Sequence, residues 1–334
     1  MACWIFSRRG ALVLLEAERE SVQTILSRVT PYLQGKELCG ERPHGVWMIQ
    51  ARHVASSSLH GPERLVYSEP FAAIDPLARV IEVAETSEHG VVQRVIRLLR
   101  NLFRLLLAQD AVFVHGGMIE IAGCGIAFLG AKKAGKTSSI LAALTQGHAS
   151  FIENDALSLH VWEGRPYGLG WFRSTYIRRD VFSALGAVFS EKHREFHLLE
   201  RTHEKPSLFP EKFAAAFGCS LLPQAELHLL VFPEFFPRES SSAFSLCPMT
   251  KEEALLALKE HLVPVPNEHH QFLQPYFPRA PGNGWLLETL VERVTSYRLQ
   301  QSFSAITAAA HAVIALVDPT LSRHEGMAGP RHAE

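Results

Sequence analysis

Residues 115–160 read HGGMIEIAGCGIAFLGAKKAGKTSSILAALTQGHASFIENDALSLH, and this stretch decides the fold of the chain. Its centre, Gly130-Ala-Lys-Lys-Ala-Gly135-Lys136-Thr137, has two glycines separated by four residues and followed by a lysine and a hydroxyl residue. Loops with this pattern bind the phosphates of nucleotides. The sequence therefore predicts a phosphate-binding loop, or P-loop.

Each residue type in the loop has a chemical reason. Glycine at Gly130 and Gly135 permits positive backbone φ angles, so successive N–H groups can turn towards one anion. Lys136 would reach the β and γ phosphates, and the Thr137 hydroxyl would bind the accompanying Mg²⁺. The positive N-terminal end of the following helix would face the same charge. The predicted nucleotide-binding residues are Gly130, Ala131, Lys132, Lys133, Ala134, Gly135, Lys136, Thr137 and Ser138.

The residues on both sides of the loop fit this interpretation. Residues 125–130 are apolar, as in a short buried strand, whereas residues 137–144 are small and aliphatic, as in a helix that ends near Gly147. Strand, loop and helix together predict an α/β fold. For the loop itself, the alternative to a phosphate-binding site is a glycine turn between strand and helix that binds no ligand. Lys132 and Lys133 also have two interpretations, because they either add positive charge for a triphosphate or point to solvent.

The order of these features resembles the catalytic domain of HPr kinase/phosphorylase and the wider group of HPr-kinase-like proteins. The matching features are residues 115–120, Cys124-Gly125, residues 130–137, Gly147-His148 and Asn154-Asp155. The resemblance is confined to this stretch. It implies an α/β P-loop core of the HPr-kinase-like (PEP-carboxykinase-like) type, with ATP as the nucleotide, Mg²⁺ as its metal ion and a homo-oligomeric assembly.

Two positions depart from the family pattern. Where the family has paired aspartates, this chain has Glu153-Asn154-Asp155, which places Asn154 at the position of the catalytic base. An amide does not accept a proton at neutral pH. The resemblance then leaves Glu153 or His115 to activate the acceptor, and Asp155 to bind Mg²⁺. The second departure is Ser138, because family members with both activities commonly have glutamate there.

Other candidate residues lie on either side of the loop. In HPr kinases the histidine that matches His115 lies near the reaction centre. The alternative for His115 is a structural role at the end of a strand, with its side chain bonded to the backbone. Arg173 and Arg178 follow the predicted metal ligand, and a guanidinium beside the γ phosphate stabilises charge in the transition state. Surface arginines around a turn are the alternative for each. Residues 191–205 carry many charges and histidines without zinc-binding spacing, which favours a lid or substrate loop.

Composition and charge argue against several classes of protein. Of the 334 residues, 47% are hydrophobic and 20% charged, and the formal net charge is -1. This balance gives no indication of nucleic acid or an anionic membrane as a partner, since both favour a basic excess. The five cysteines are scattered, which favours a reducing cytoplasmic location. The apolar residues 303–317 are too few to span a membrane, so we predict a buried helix there.

The chain is long enough for two domains. The sequence of residues 1–110 predicts a smaller α+β unit, with a hairpin at its start and an amphipathic helix over 91–107. No catalytic motif lies in this unit, so we expect substrate recognition or a scaffolding role. Residues 111–320 would form the nucleotide-binding domain, within which the proline-rich residues 264–284 would be an ordered loop or partner surface. We predict that residues 321–334 form a flexible tail.

Two functional hypotheses of different classes follow. The first is an enzyme that transfers the γ-phosphoryl group of ATP to a hydroxyl of a peptide, protein or small molecule, and the resembling group includes kinases that tailor peptide natural products. Lys136, Thr137 and Asp155 favour it, because binding alone needs no metal ligand so placed. The second is a nucleotide-binding partner or scaffold protein in which ATP or GTP turns over slowly or not at all, and Asn154 favours it. Nucleotidyl transfer uses the same cradle and stays a third hypothesis.

Overall fold

The computed structural model of the chain divides into two units. Residue contacts group Met1–Asp110 with Pro264–Gly282, and Ala111–Val263 with Asn283–Glu334. Arg178, the charged segment 191–205 and the predicted tail at 321–334 lie outside the described residues. The residues described are 1–54, 72–146, 148–177, 181, 207–236, 243–266, 268–278 and 283–318.

The first unit contains, within the described ranges, a six-stranded sheet and two α-helices. The strands are β1 (Ala2–Arg8), β2 (Ala11–Ala17), β3 (Gln34–Glu37), β4 (Trp47–His53), β5 (Ala72–Asp75) and β6 (Val80–Glu85), in the order β3-β1-β2-β4-β6-β5. The helices are α1 (Arg19–Val29) and α2 (Glu88–Leu106). Arg9 and Gly10 join β1 to β2 with φ angles of 50° and 80°, as in the turns that suit a twisted hairpin. The predicted hairpin and the helix predicted over 91–107 are both confirmed.

The chain returns to the first unit over Pro264–Gly282. The ring of Phe277 stacks on Trp47 of β4 with centroids 5.4 Å apart, and Tyr276 lies against the same indole at 6.2 Å. These aromatic side chains bury apolar surface within the first unit. The structure therefore differs from the expected continuous domain over 111–320, because its proline-rich segment packs on β4.

The second unit is built on a mixed sheet. Its elements are β7 (Ala111–Val114), β8 (Gly116–Ile121), β9 (Cys124–Leu129), α3 (Lys136–Leu144), β10 (Ala149–Glu153), β11 (Leu157–Trp162), β12 (Arg165–Leu169), β13 (Thr175–Tyr176), β14 (Ser207–Leu208), α4 (Pro210–Phe217), β15 (Gln224–Phe235), β16 (Phe244–Pro248), α5 (Lys251–Glu260), α6 (Gly284–Arg293), β17 (Thr295–Gln301) and α7 (Ile306–Ala315). The sheet order is β10-β8-β9-β15-β12-β11-β7, with β17 paired to β15 and β16, while β13 and β14 pair separately. β15 runs parallel to β9 and β17. A mixed sheet with helices confirms the predicted α/β class.

Neighbouring residues of β8 pack against helices on opposite faces of this sheet. Ile119 belongs to the same buried core as Ile140 of α3, and α7 also contributes to that core. Met118 belongs to a second core with Leu258 of α5 and Leu290 of α6. Successive strand side chains point to opposite faces, so helices cover both faces of the sheet. The second unit therefore has three layers.

Elements around the loop mostly lie where the sequence predicts them. β9 ends at Leu129, α3 begins at Lys136, and the apolar residues 303–317 form a 3₁₀ turn followed by α7. Strand β17 is not predicted, because its sequence TSYRLQQ has little alternation of apolar residues. Within the described part of the chain, no helix has both the length and the hydropathy of a membrane span.

Gly117 on β8 lies against the end of β10, and replacing it tests how closely the two segments pack. A methyl group there would lie 2.6 Å from the carbonyl oxygen of Glu153 and 2.7 Å from Cα of Asn154. The backbone would have to move, so we expect Gly117→Ala to lower the free energy of unfolding by about 1–3 kcal/mol. Denaturant unfolding followed by circular dichroism measures this loss.

Gly284→Ala is the matched control for that measurement. Gly284 lies in the first turn of α6, and none of the described atoms lies within 4 Å of the added methyl group. The free energy of unfolding should therefore not fall, and the higher helix propensity of alanine should raise it by up to about 1 kcal/mol. Equal losses in both variants would contradict the close packing of Gly117.

Candidate functional site

The loop between β9 and α3 has the backbone shape of an anion nest. Lys133 and Gly135 have φ angles of 73° and 107°, and Ala134 lies between these two left-handed residues. The Ala134 N–H donates to the Ala131 carbonyl oxygen at 3.1 Å, which closes a tight turn. Alternation of left- and right-handed residues directs successive N–H groups into one concavity. The loop geometry therefore suits a phosphate group at the start of α3.

Lys136 is held inside this loop. Its side chain is 6% exposed, and Nζ donates to the carbonyl oxygens of Gly130 and Ala131 at 2.8 and 2.9 Å. Burial lowers the pKa of Lys136 to about 8, although the nearby charge of Asp155 opposes this shift. The ammonium group is thus poorly solvated, and a phosphate beside it would stabilise its charge.

A cavity of about 230 Å³ opens beside the loop. Lys133, Gly135, Lys136, Thr137 and Ser138 line it on the loop side, and Val181, Phe235 and Phe303 line the remainder. The two phenylalanine rings stack with centroids 4.2 Å apart and an interplanar angle of 8°. Ala131 and Lys132 are exposed to solvent. Five of the nine predicted nucleotide-binding residues therefore share one cavity with an aromatic wall.

Gln301 supports the loop from behind and is missed by sequence reasoning. It is fully buried at the end of β17, and its Nε2 donates to the Ser139 hydroxyl at 3.0 Å. A methyl group at Gly135 would lie 2.8 Å from the same nitrogen. The positive φ angle at Gly135 favours glycine, and a larger residue there would also displace the side-chain amide of Gln301. No motif connects Gln301 with the loop, so the contact depends on the unpredicted pairing of β17 with β15.

Asp155 brings the other predicted polar residues together. Its Oδ1 lies 2.9 Å from His115 Nε2, and its Oδ2 lies 3.1 Å from an Arg173 guanidinium nitrogen. Burial would raise the pKa of Asp155, but the hydrogen bond from His115 and the charges of Arg173 and Lys136 hold it below its ordinary value. A charged carboxylate, an imidazole and two cations thus meet beside the loop.

Glu153 does not belong to this polar cluster. It is 2% exposed, and its Oε1 accepts from the N–H groups of Asn154 and Asp155 at 2.9 and 3.2 Å. Its Oε2 accepts from the Trp171 N–H at 2.8 Å. Burial raises the pKa of Glu153 to about 7, and these backbone hydrogen bonds limit the shift. This geometry favours His115 over Glu153 for activating an acceptor, because backbone amides bond to both oxygens of the buried Glu153.

Asn154 is buried beside Glu153. Its side chain is 4% exposed, and among the described residues its Oδ1 has no hydrogen-bond donor. Neither Asn154 nor Glu153 can then supply a free carboxylate. Of the two residues that the sequence leaves to activate an acceptor, His115 alone is open to solvent, with a side chain 32% exposed.

Oxygen donors suitable for Mg²⁺ are present at two of the predicted positions. Asp155 offers a carboxylate that is 37% exposed, and Thr137 offers a hydroxyl that lines the cavity. Within the described ranges no group of three or more His, Cys, Asp or Glu side chains could hold a metal ion by itself. Mg²⁺ bound with a nucleotide commonly has only one or two protein ligands, with phosphates and water completing the shell. The donor set therefore fits this kind of metal ion.

Replacing Glu153 by glutamine tests the role of its carboxylate in holding the turn. Glu153→Gln must present an NH₂ group to at least one backbone N–H, so we expect about 1–3 kcal/mol less stability. Because the pKa of about 7 lies above the ordinary 4.5, the folded state holds the proton more tightly. The stability that this tighter proton binding by Glu153 contributes is fully present below pH 4.5 and is lost as pH rises through 7. Urea unfolding at several pH values should show this loss in the wild type and not in Glu153→Gln.

Glu288→Gln is the control for the pH series. Glu288 is an exposed residue of α6, so its replacement should leave the wild-type pH dependence intact. An unchanged pH dependence in Glu153→Gln would contradict the proposed proton uptake by the buried carboxyl.

Comparisons with known proteins give little information about this chain. No protein-family model matches it, and no curated protein sequence matches it. Among solved structures, the HPr(Ser) kinase/phosphatase from Coxiella burnetii is similar over 64% of this chain and 93% of its own length. The sequence identity is 13% and the TM-score is 0.33. A TM-score this low does not establish a shared fold, so the chemistry of the site rests on its own geometry.

Proposed function

We propose that this protein is an ATP-dependent phosphotransferase that transfers the γ-phosphoryl group to a hydroxyl of a peptide, protein or small molecule. One observation carries the proposal: the loop with the P-loop sequence has two left-handed residues, and the buried Lys136 is bonded within it to the carbonyl oxygens of Gly130 and Ala131. A buried lysine beside inward-turned N–H groups is suited to a polyphosphate anion. The cluster of His115, Asp155 and Arg173 supplies the groups for transfer.

Nucleotide binding would use the loop and the aromatic cavity together. The N–H groups of the loop, other than that of Ala134, would surround the phosphates, and Lys136 would exchange the carbonyl oxygens of Gly130 and Ala131 for phosphate oxygens. Phe235 and Phe303 would provide an apolar wall for the rest of the nucleotide. Thr137 and Asp155 would hold Mg²⁺, which neutralises charge on the β and γ phosphates when it is bound.

Transfer would use His115 rather than Glu153. With Nε2 bonded to Asp155, the imidazole has its Nδ1 left to take a proton, as when a carboxylate fixes the tautomer of a catalytic histidine. The acceptor oxygen would bond to the γ phosphorus while the bond to the β,γ-bridging oxygen breaks, so ADP leaves with the electron pair. The acceptor proton would pass to His115. Arg173 would stabilise charge on the transferring group.

A non-catalytic ATP- or GTP-binding protein is the second candidate. Asn154 and the hydrogen bonds of Glu153 favour it, because Asp155 is then the one residue of the segment 153–155 whose carboxylate is not held by backbone N–H groups. Product analysis separates the candidates. Phosphoryl transfer releases ADP, nucleotidyl transfer moves AMP to the acceptor and releases pyrophosphate, and a binding module gives tight binding without product.

Lys136→Ala tests the phosphate-binding role of the loop. The variant loses the buried ammonium group, so we expect ATP affinity to fall by about tenfold to a hundredfold, as for loss of a charge-assisted contact of about 1.5–3 kcal/mol. ADP formation with Mg²⁺ should fall with it. Isothermal titration and chromatography of ADP and AMP measure the two effects. Lys132→Ala is the control, because Lys132 is exposed in the same loop and should have less than a tenth of this effect.

Proton uptake provides an independent test of Lys136. The ligand-free pKa of about 8 means that about half of the lysines are neutral at pH 8, whereas bound phosphates favour the charged form. ATP binding at pH 8 should therefore take up about half a proton per site, and affinity should fall as pH rises further. Titrations in two buffers with different ionisation enthalpies measure this uptake. Equal binding enthalpies in both buffers, or the same uptake in Lys136→Ala, would contradict it.

A further inference from the structure

Gln301 lies behind the phosphate loop, and the proposed transfer does not use it. It is the last residue of β17, and its side chain is fully buried. Its Nε2 donates to the hydroxyl of Ser139 in α3 at 3.0 Å. The same nitrogen would lie 2.8 Å from a methyl group at Gly135. One buried amide therefore packs against both the end of the loop and the helix that follows it.

Gly135 and Ser139 together form the start of α3. Gly135 is the N-cap of the helix, with a φ angle of 107°, and its carbonyl oxygen accepts from the Ser139 N–H at 2.9 Å. The Gln301 side chain thus reaches the two residues that this hydrogen bond joins. The N–H groups at the start of a helix are those that turn towards a bound anion. Gln301 therefore restrains the part of the backbone that would face the phosphates.

The backbone of Gln301 also connects the loop with the aromatic wall of the 230 Å³ cavity. Gln301 is the partner of Phe235 in the parallel pairing of β15 and β17, and its carbonyl oxygen accepts from the Phe236 N–H at 3.1 Å. The Phe235 ring would lie 3.3 Å from a methyl group at Gly135. Phe303, which stacks on Phe235, follows shortly after Gln301 in the chain. The end of β17 therefore sets the position of the wall as well as that of the loop.

The amide of Gln301 costs the fold stability. Among the described residues no donor bonds to its Oε1, although this atom is buried. A buried carbonyl oxygen without a hydrogen bond destabilises the folded state, whereas an apolar side chain of similar size does not. Ser139 does not require the amide as a partner, because a helical serine can bond to the carbonyl group four residues earlier. Stability alone therefore does not account for glutamine at this position.

We propose that Gln301 is a positioning residue for the nucleotide, which holds Gly135 and Ser139 in the geometry that binds phosphate even though its own amide lowers stability. The proposal rests on the proposed phosphotransferase function. Gln301 is not among the residues that line the 230 Å³ cavity, so it acts through Gly135 and Ser139. Its side-chain contacts are with the loop and α3, and the part of the ligand that it serves is the chain of phosphates. A displacement of about 1 Å in such a site is costly.

Gln301→Met tests this role in the full chain. Methionine keeps the length of the side chain and removes both polar atoms of the amide. Isothermal titration should show about tenfold weaker binding of ATP with Mg²⁺, equivalent to about 1.4 kcal/mol. Inorganic tripolyphosphate, which has no base, should lose affinity by a similar factor. The midpoint of urea unfolding should stay the same or rise, because a buried oxygen without a hydrogen bond is removed.

Gln300→Met is the matched control for these titrations. Gln300 precedes Gln301 on the same strand and is less buried, and its side chain points to the opposite face of the sheet. The substitution is chemically the same in both variants. Gln300→Met should therefore bind ATP and tripolyphosphate like the wild type.

A double-mutant cycle with Ser139→Ala tests whether Gln301 acts through α3. Ser139→Ala removes the acceptor of the Gln301 amide, while alanine favours the helix. This single variant should also bind ATP more weakly than the wild type. The double variant Gln301→Met/Ser139→Ala should bind ATP no more weakly than Gln301→Met, because the interaction is already absent. Multiplication of the two single losses would show independent effects and would overturn the proposed connection.

The remaining outcomes separate this role from the proposed function. Wild-type affinity in Gln301→Met, or a loss for ATP that is absent for tripolyphosphate, would overturn the positioning role even though the wild type binds ATP. A lower midpoint of urea unfolding in Gln301→Met would also overturn it, because the amide would then serve the stability of the fold. Failure of the wild type to bind either ligand would instead refute the proposed phosphotransferase.

Discussion

The carboxylate of Glu153 is the interaction on which the site depends. It accepts hydrogen bonds from the backbone N–H groups of Asn154, Asp155 and Trp171, and so joins the end of β10 to the segment after β12. Those two segments carry Asp155 and Arg173, which face each other across 3.1 Å. A buried acid is costly unless donors satisfy it. Here three donors reduce that cost without removing it, since burial still raises the pKa of Glu153 to about 7, and the same hydrogen bonds fix the position of Asp155.

The loop after β9 combines two structural roles. Its left-handed residues shape a concavity for an anion, and its carbonyl groups accept the hydrogen bonds of Lys136. The 230 Å³ cavity opens beside this loop, and Phe235 and Phe303 form its aromatic wall. In the proposed phosphotransferase, the loop binds the phosphates and the aromatic wall packs against the rest of the nucleotide.

Local sequence patterns were sufficient for much of the fold around the loop. Glycine spacing and apolar runs predict the strand that ends at Leu129 and the helix that begins at Lys136, since both depend on short-range geometry. Contacts between distant segments are not encoded in this way. Gln301 reaches the loop only because a polar strand pairs with β15, and Glu153 turns inward only because Trp171 offers an N–H group. The sequence also does not reveal that both Glu153 oxygens accept backbone hydrogen bonds, which favours His115 over Glu153 for activating an acceptor.

Amide hydrogen exchange is the most direct test of whether the loop binds phosphate through its backbone. The exchange rates of residues 130–138 are compared with and without ADP and Mg²⁺, by mass spectrometry of overlapping peptides. Exchange should slow at this loop and at the first turn of α3, because loop N–H groups would bond to phosphate oxygens. Lys136→Ala should lose most of this protection. Nucleotide binding with unchanged exchange in this loop, or protection confined to another part of the chain, would contradict phosphate binding by the loop.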